Sequence, residues 1–262
     1  MAAACGAACA GVASDQPRAC AGFTGNERLM ARAPLVRSFM VAGTHAGVGK
    51  TLVTTAIVQS LRRVGIDAVA MKAVAQGCVR PNGAWHSEEM QRLAAASAFD
   101  LPPRALCGHW VTADSAPAQG RSRRSPVSLE SIVDTFQVLS TWADAVVVED
   151  SRDLDGAAGG WSDSDSLARE LKLPVLLVVG MRSGCVPAAL ACVDALADQG
   201  LECAGWIANH IEPGWQSDGA LRALRQRMAA PCLGSVPWLH DGAAAATATG
   251  IDMNRLLLTL AQ

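Results

Sequence analysis

The chain has 262 residues, 50% hydrophobic and 18% charged, which suits one large α/β domain with a sizeable core. A net charge of −2 excludes a broad electrostatic footprint for nucleic acid, and the longest apolar run, residues 173–179, is far too short to cross a membrane. Nine cysteines, odd in number, without metal-ligand spacing and set partly inside apolar segments, point to reduced thiols in a cytoplasmic protein; with no tyrosine in the chain, tyrosine chemistry is excluded.

Residues 1–37 are rich in Ala, Gly and Cys without durable periodicity and read as a disordered extension ahead of a single domain over 38–262. Arg18, Arg28, Arg32 and Arg37 would suit a transit peptide, but Asp15 and Glu27 count against one. An apolar strand over 39–42 then runs into a glycine-rich turn. A helical pattern begins at Lys50, with Val53, Ala56, Ile57, Leu61 and Val64 on one face. Strand, glycine-rich turn, Gly49-Lys50-Thr51 and helix form the context of a P-loop. Glycines let backbone N–H groups converge on phosphate oxygens, and the helix N-terminus adds partial positive charge. Lys50 would reach the β- and γ-phosphates of ATP, and the Thr51 hydroxyl would ligate Mg²⁺. The spacing departs from the usual one: five residues, not four, separate Gly43 from Gly49, and Thr44 stands where the first glycine would be.

A buried strand over 67–71 ends at Lys72, and a loop with Pro81, Asn82 and Gly83 leads to a helix over 88–96. Residues 105–111 read as a strand and 113–126 as a polar loop, with Arg121, Arg123 and Arg124 on a solvated turn. A helix over 127–142 carries Leu129, Ile132, Val133, Phe136 and Leu139 on one side. The strand over 143–149 ends in a carboxylate, Glu149, and an acidic, glycine-rich, mobile stretch covers 150–165. A strand over 173–180 follows, then a helix over 187–199 with a proline near its first turn and Gly200 past its end. A strand over 203–209, a helix over 218–228, a short strand over 231–236 and a helix over 251–260 complete the chain. Alternation of this kind argues for an α/β fold, a mostly parallel β-sheet flanked by helices on both faces. Ligands of such sheets sit at the C-terminal strand ends. Lys50, Lys72, Glu149 and Asn209 all fall there, and their convergence weighs more than any one of them. Lys72 could meet a phosphate or a developing anion. Glu149 could hold Mg²⁺ or a substrate amine. Asn209 offers a donor and an acceptor, which suits an adenine edge.

Several stretches together resemble the dethiobiotin synthetase family over roughly residues 39–239. They are Gly43-Thr-x-x-x-x-Gly49-Lys50-Thr51; Lys72-x-Val74-x-x-Gly77, 22 residues beyond Lys50; and Val147-Val148-Glu149. Val179-Gly180-x-x-x-Gly184-Cys185, Ala204-Gly-Trp-Ile-Ala-Asn209 and Gly234-x-Val236-Pro237-Trp-Leu239 complete the set. The resemblance implies a P-loop NTPase-like fold, a homodimer, ATP and Mg²⁺ as cofactors, and a cyclo-ligase of biotin biosynthesis. Its substrates would be 7,8-diaminopelargonic acid and CO₂. One amine becomes a carbamate, the γ-phosphoryl group of ATP gives a carbamic–phosphoric anhydride, and the second amine closes the ureido ring. The resemblance implies that Gly47, Val48, Gly49, Lys50 and Thr51 hold the nucleotide, with Asn209, Pro237 and Leu239 on the adenine side. It further implies that Lys50 and Lys72 are catalytic, stabilising phosphate and carbamate charge, and that Thr51, Glu149 and Glu88 hold Mg²⁺. Substrate would meet Lys72, Gln76, Gly184, Cys185 and Val186, the last three at a helix N-terminus suited to a carboxylate across the dimer interface.

The chain also departs from the family pattern. Lys-Pro-Val is Lys72-Ala73-Val74, and the Mg²⁺-binding Asp aligns with Glu88. Glu-Gly-Ala-Gly-Gly is Glu149-Asp150-Ser151-Arg152-Asp153, with a glycine run over 156–160 arriving seven residues late. His45, Ala46 and Gly47 replace polar loop residues, and Pro187 replaces an Asn. Two other readings stay open: a divergent nucleotide-binding relative with a regulatory or interaction role, and another P-loop ATPase of the partitioning or metal-insertion kind. The latter carry an early-loop lysine where His45 stands.

Overall fold

Continuous apolar runs make the central strands. β1 (Phe39–Gly43) and β5 (Val175–Met181) are buried along their whole length, as strands covered on both faces must be. The computed structural model describes residues 37–79, 85–112, 128–153, 163–239 and 250–261. The N-terminal extension up to residue 36, the turn at 81–83, the loop with the arginine cluster and the glycine run at 156–160 lie outside these residues.

The remaining elements follow in alternation: α1 (Lys50–Arg63), β2 (Ala68–Cys78), α2 (Glu88–Ala96), a 3-10 turn (Pro103–Leu106) and β3 (Cys107–Thr112). After these come α3 (Leu129–Ser140), β4 (Ala145–Asp153), α4 (Asp163–Glu170), β5 and α5 (Cys185–Asp198). The chain closes with β6 (Cys203–His210), α6 (Asp218–Arg227), β7 (Cys232–Val236) and α7 (Met253–Leu260). Seven strands pair in the order β3-β2-β4-β1-β5-β6-β7, and every pairing between them is parallel.

The core divides along the sheet. Successive side chains of a strand point to opposite faces. Leu176 and Val178 of β5 join Ile207 of β6 in one cluster, while Leu177, Val179 and Met181 join Trp206 and Ala208 in a second with Cys192 and Leu224. Trp206 is fully buried, and its indole N–H donates to the Ala230 carbonyl at 3.1 Å.

Three expectations change. β2 does not stop at Lys72 but runs to Cys78, because the edge strand β3 keeps pairing with it after β4 has ended its own pairing at Lys72. β4 likewise continues past Glu149 to Asp153. A helix, α4, occupies Asp163–Glu170 and begins inside the stretch expected to be mobile to residue 165; Leu167 and Ala168 anchor it by burial.

Candidate active site

The loop after β1 is tied to the neighbouring strand from its first residue. Thr44 N–H donates to the Val178 carbonyl at 3.1 Å, and Thr44 Oγ1 accepts from Gly180 N–H at 3.3 Å. Farther on, Gly47 and Gly49 take φ values of 75° and 86°, a region glycine enters without steric cost. α1 begins at Lys50 with no capping side chain and no acidic residue in its first turn. Its leading N–H groups therefore suit an external anion, and phosphate is the natural one.

Register brings the second half of the site together. Lys72 and Glu149 are Cα partners in the β2–β4 pairing, so their side chains leave the sheet on the same face. Lys72 Nζ lies 2.6 Å from Glu149 Oε1 and 2.8 Å from Glu89 Oε2. Thr51 Oγ1 lies 2.8 Å from the same Glu149 oxygen and 2.6 Å from Glu89 Oε1. With a single proton, the hydroxyl donates to one carboxylate at a time. Glu149 is 1% exposed, and its Oε2 is buried without a hydrogen-bond partner.

Burial opposes charge throughout this cluster. For Lys72 burial pulls downward, but Glu149 and Glu89 outweigh it and hold the ammonium above the ordinary lysine value. Glu149 is pushed up by burial, against the pull of Lys72. Burial would raise Glu89 too, yet Lys72 and the Thr51 hydroxyl hold it below the usual carboxylate range. Lys72 thus stays protonated through neutral pH.

Glu88, expected to hold Mg²⁺, does not reach this cluster, whereas Glu89 meets Thr51 and Lys72. The Glu88 side chain is 79% exposed and faces Arg92 at 3.5 Å, four residues along the helix. Adjacent helical residues differ by about 100° of rotation, so only one of the pair can face Thr51. The signal was present: Met90, Leu93 and Ala96 mark the buried face of α2, and Arg92 marks the exposed one.

Asn209 is 3% exposed, and its Nδ2 donates to the Val48 carbonyl at 2.6 Å. It pairs in register with Val236, so Pro237 and Leu239 leave the sheet beside it, Pro237 exposed and Leu239 half-buried.

The family model described as an AAA domain matches residues 37–246. The ATP-dependent dethiobiotin synthetase BioD of Xanthomonas oryzae pv. oryzae is 39% identical over 227 residues, covering 83% of this chain and 98% of that protein. This chain belongs to the dethiobiotin synthetase family. The ATP-dependent dethiobiotin synthetase BioD of Aromatoleum aromaticum is 41% identical over 203 residues, covering 77% of this chain and 90% of its own. Among solved structures, the signal recognition particle receptor FtsY of Elizabethkingia anophelis, in complex with GDP, matches with a TM-score of 0.54 at 15% identity. That match covers 88% of this chain but only 65% of the FtsY chain, less than two thirds, and speaks to the fold alone. Membership of the synthetase family makes the chain an ATP-dependent ligase of biotin synthesis, and it disfavours the regulatory and switch-ATPase readings.

Within this dethiobiotin synthetase, the departures now have places. Between Val41 and Gly43 of β1 the partner register on β4 moves from Glu149 to Asp153, so β4 bulges where the family pattern has glycines. Gln76 is exposed and stands four positions beyond Lys72, roughly 13 Å along an extended strand, so the two do not meet. Gly184, with φ 80°, caps α5, and Cys185 and Val186 open it. The Cys185 N–H already donates to the Arg182 carbonyl at 3.1 Å, and Pro187 has no N–H. Two of the first three helix amides therefore cannot meet a carboxylate. Burial pushes the Cys185 thiol up, so it stays neutral.

Proposed function

We propose that this synthetase condenses 7,8-diaminopelargonic acid with CO₂ at the expense of ATP, forming dethiobiotin, ADP and phosphate. The observation that carries the reading is the buried ammonium of Lys72, shared between Glu149 and Glu89 beside the P-loop Thr51. A carbamate oxygen formed on one amine attacks the γ-phosphorus and ADP leaves. The second amine then attacks the carbamic carbonyl, and phosphate leaves as the ring closes. Negative charge gathers on oxygen in the first of these steps. A fixed ammonium stabilises that charge more than it stabilises the neutral diamine, so Lys72 serves as a cation and not as a base. Lys50, at the first position of α1, would meet the transferring phosphoryl group.

The same cluster fits Mg²⁺. Thr51 Oγ1, Glu149 and Glu89 supply oxygen donors to a hard cation, and the orphaned Glu149 Oε2 is an acceptor without a donor. Among the described residues no group of three or more His, Cys, Asp or Glu gathers as a metal site, but Mg²⁺ held partly by phosphate and water needs fewer protein ligands. Mg²⁺ held there would neutralise phosphate charge.

A homodimer is part of the proposal. Val186, Pro187, Ala188, Leu190 and Ala191 leave an apolar, partly exposed surface on α5 for a second protomer to cover. Cys78, Cys107, Cys185, Cys192, Cys203 and Cys232 are free thiols, which suits work in the cytoplasm, and no described helix is long and apolar enough to cross a membrane.

The test is dethiobiotin formation from the diamine, bicarbonate, ATP and Mg²⁺. Product from the wild type, lost in Lys50→Ala with the fold retained, is the expected result. A wild type that binds ATP yet makes no dethiobiotin would overturn the reading.

A further inference from the structure

We propose that Asn209 is a positioning residue for the phosphate loop: its amide fixes the peptide plane between Val48 and Gly49. The inference rests on the nucleotide-binding reading above and adds to it a duty that needs no base. Three observations meet on this plane. Asn209 Nδ2 donates to the Val48 carbonyl at 2.6 Å. The Val48 side chain is fully buried between two strand ends: a Cβ on Gly43 would lie 2.6 Å from its Cγ2, and one on Gly180 would lie 3.0 Å from its Cγ1. A Cβ on Gly49 would collide with the same Asn209 Nδ2. The glycine is thus needed both for its φ of 86° and for the approach of the amide.

The peptide unit is planar and trans, so the Val48 C=O and the Gly49 N–H point in opposite directions within one plane. Holding the carbonyl therefore aims the Gly49 N–H, one residue before α1 starts at Lys50. Asn209 comes from β6, two strands away from β1, so the loop is oriented from across the sheet and not by its own short turn. The side-chain amide has a second N–H and an oxygen, which can face a base while the first N–H stays on Val48.

The experiment compares Mg·tripolyphosphate, which has no base, with Mg·ATP, by calorimetric titration of the wild type, Asn209→Ala and Asn209→Leu. Leucine keeps the branched shape and removes the donor. Both variants should lose about three- to tenfold in tripolyphosphate affinity, the worth of one buried hydrogen bond, and more than that for ATP. In both, amide exchange over residues 44–50 should quicken in the ligand-free protein while the interiors of β5 and β6 keep their protection. Wild-type tripolyphosphate affinity in both variants, with only ATP weakened, would make Asn209 a base reader alone and overturn the proposal. Faster exchange across the whole sheet would also overturn it, as a general loss of fold. If the wild type binds no ATP, the nucleotide reading is what fails, and the exchange rates over 44–50 still decide whether Asn209 holds the loop.

Discussion

A lysine that is 5% exposed survives as a cation only because two carboxylates face it, and each partner's removal has a definite sign. Lys72→Ala strands the enclosed Glu149 carboxylate, and breaking such a pair costs about 3–5 kcal/mol. Urea melts should show that loss, and Lys72→Ala with Glu149→Gln should recover much of it. Catalysis makes a different demand on the same residue. Lys72→Arg keeps the charge but replaces a compact ammonium with a planar fork, so single-turnover ring closure at saturating ATP should be slow in both Lys72→Arg and Lys72→Ala. Wild-type rates in both would reduce Lys72 to a structural cation. Glu89 sets an acid limit. Its folded pKa lies below the ordinary carboxylate value, so the unfolded state binds more protons as pH falls. Its stabilisation is therefore present above about pH 4.5, the ordinary value, and is lost as pH falls through the depressed folded value. Acid unfolding of Glu89→Gln should lack that part of the slope.

One turn of α2 decides which glutamate serves the site. Ser87 caps the helix, its side chain accepting from Met90 N–H at 3.4 Å, and this fixes the rotation that turns Glu89 inward and Glu88 outward. Glu89→Ala should raise the Mg²⁺ concentration needed to half-saturate the ATP-loaded protein about tenfold, whereas Glu88→Ala should leave it unchanged. The opposite pattern would restore Glu88 to the site. Cap, acidic first turn and apolar face are local signals, and α2 was read from sequence with the boundaries it has. The P-loop and the start of α1 were legible for the same reason. Partnerships were not. Nothing local says that Lys72 stands opposite Glu149, because register between β2 and β4 is settled by packing over 77 positions of chain. β2 was read too short because a lysine inside a strand resembles a strand end until its buried partners are known. α4 was missed because acidic residues and glycines precede it; among its described side chains Leu167 and Ala168 mark the buried side.

Across the molecule, the larger core cluster packs on both faces of the sheet, and a smaller one over β5 and β6 is filled by Trp206. Trp206→Ala should cost about 3–5 kcal/mol, measurable by denaturant unfolding, since it removes a large packed ring and orphans the Ala230 carbonyl. The strand order holds a consequence for how the protein is made. β1, which leads into the phosphate loop, is translated first among the described strands, yet its neighbours in the sheet are β4 and β5, with Met40 beside Val148 and Val175. One of its edges stays open until β4, and the other until β5, has left the ribosome, on the order of ten seconds later at ordinary elongation rates. Such distant pairings are slow to close and leave an apolar strand exposed meanwhile. Nascent chains arrested before β5 emerges should be protease-sensitive through β1 and should not be retained by immobilised ATP, while those arrested after β7 emerges should be protected. The nucleotide can therefore reward folding only near its end, and an ATP-rich cell cannot hasten the earlier steps through this site.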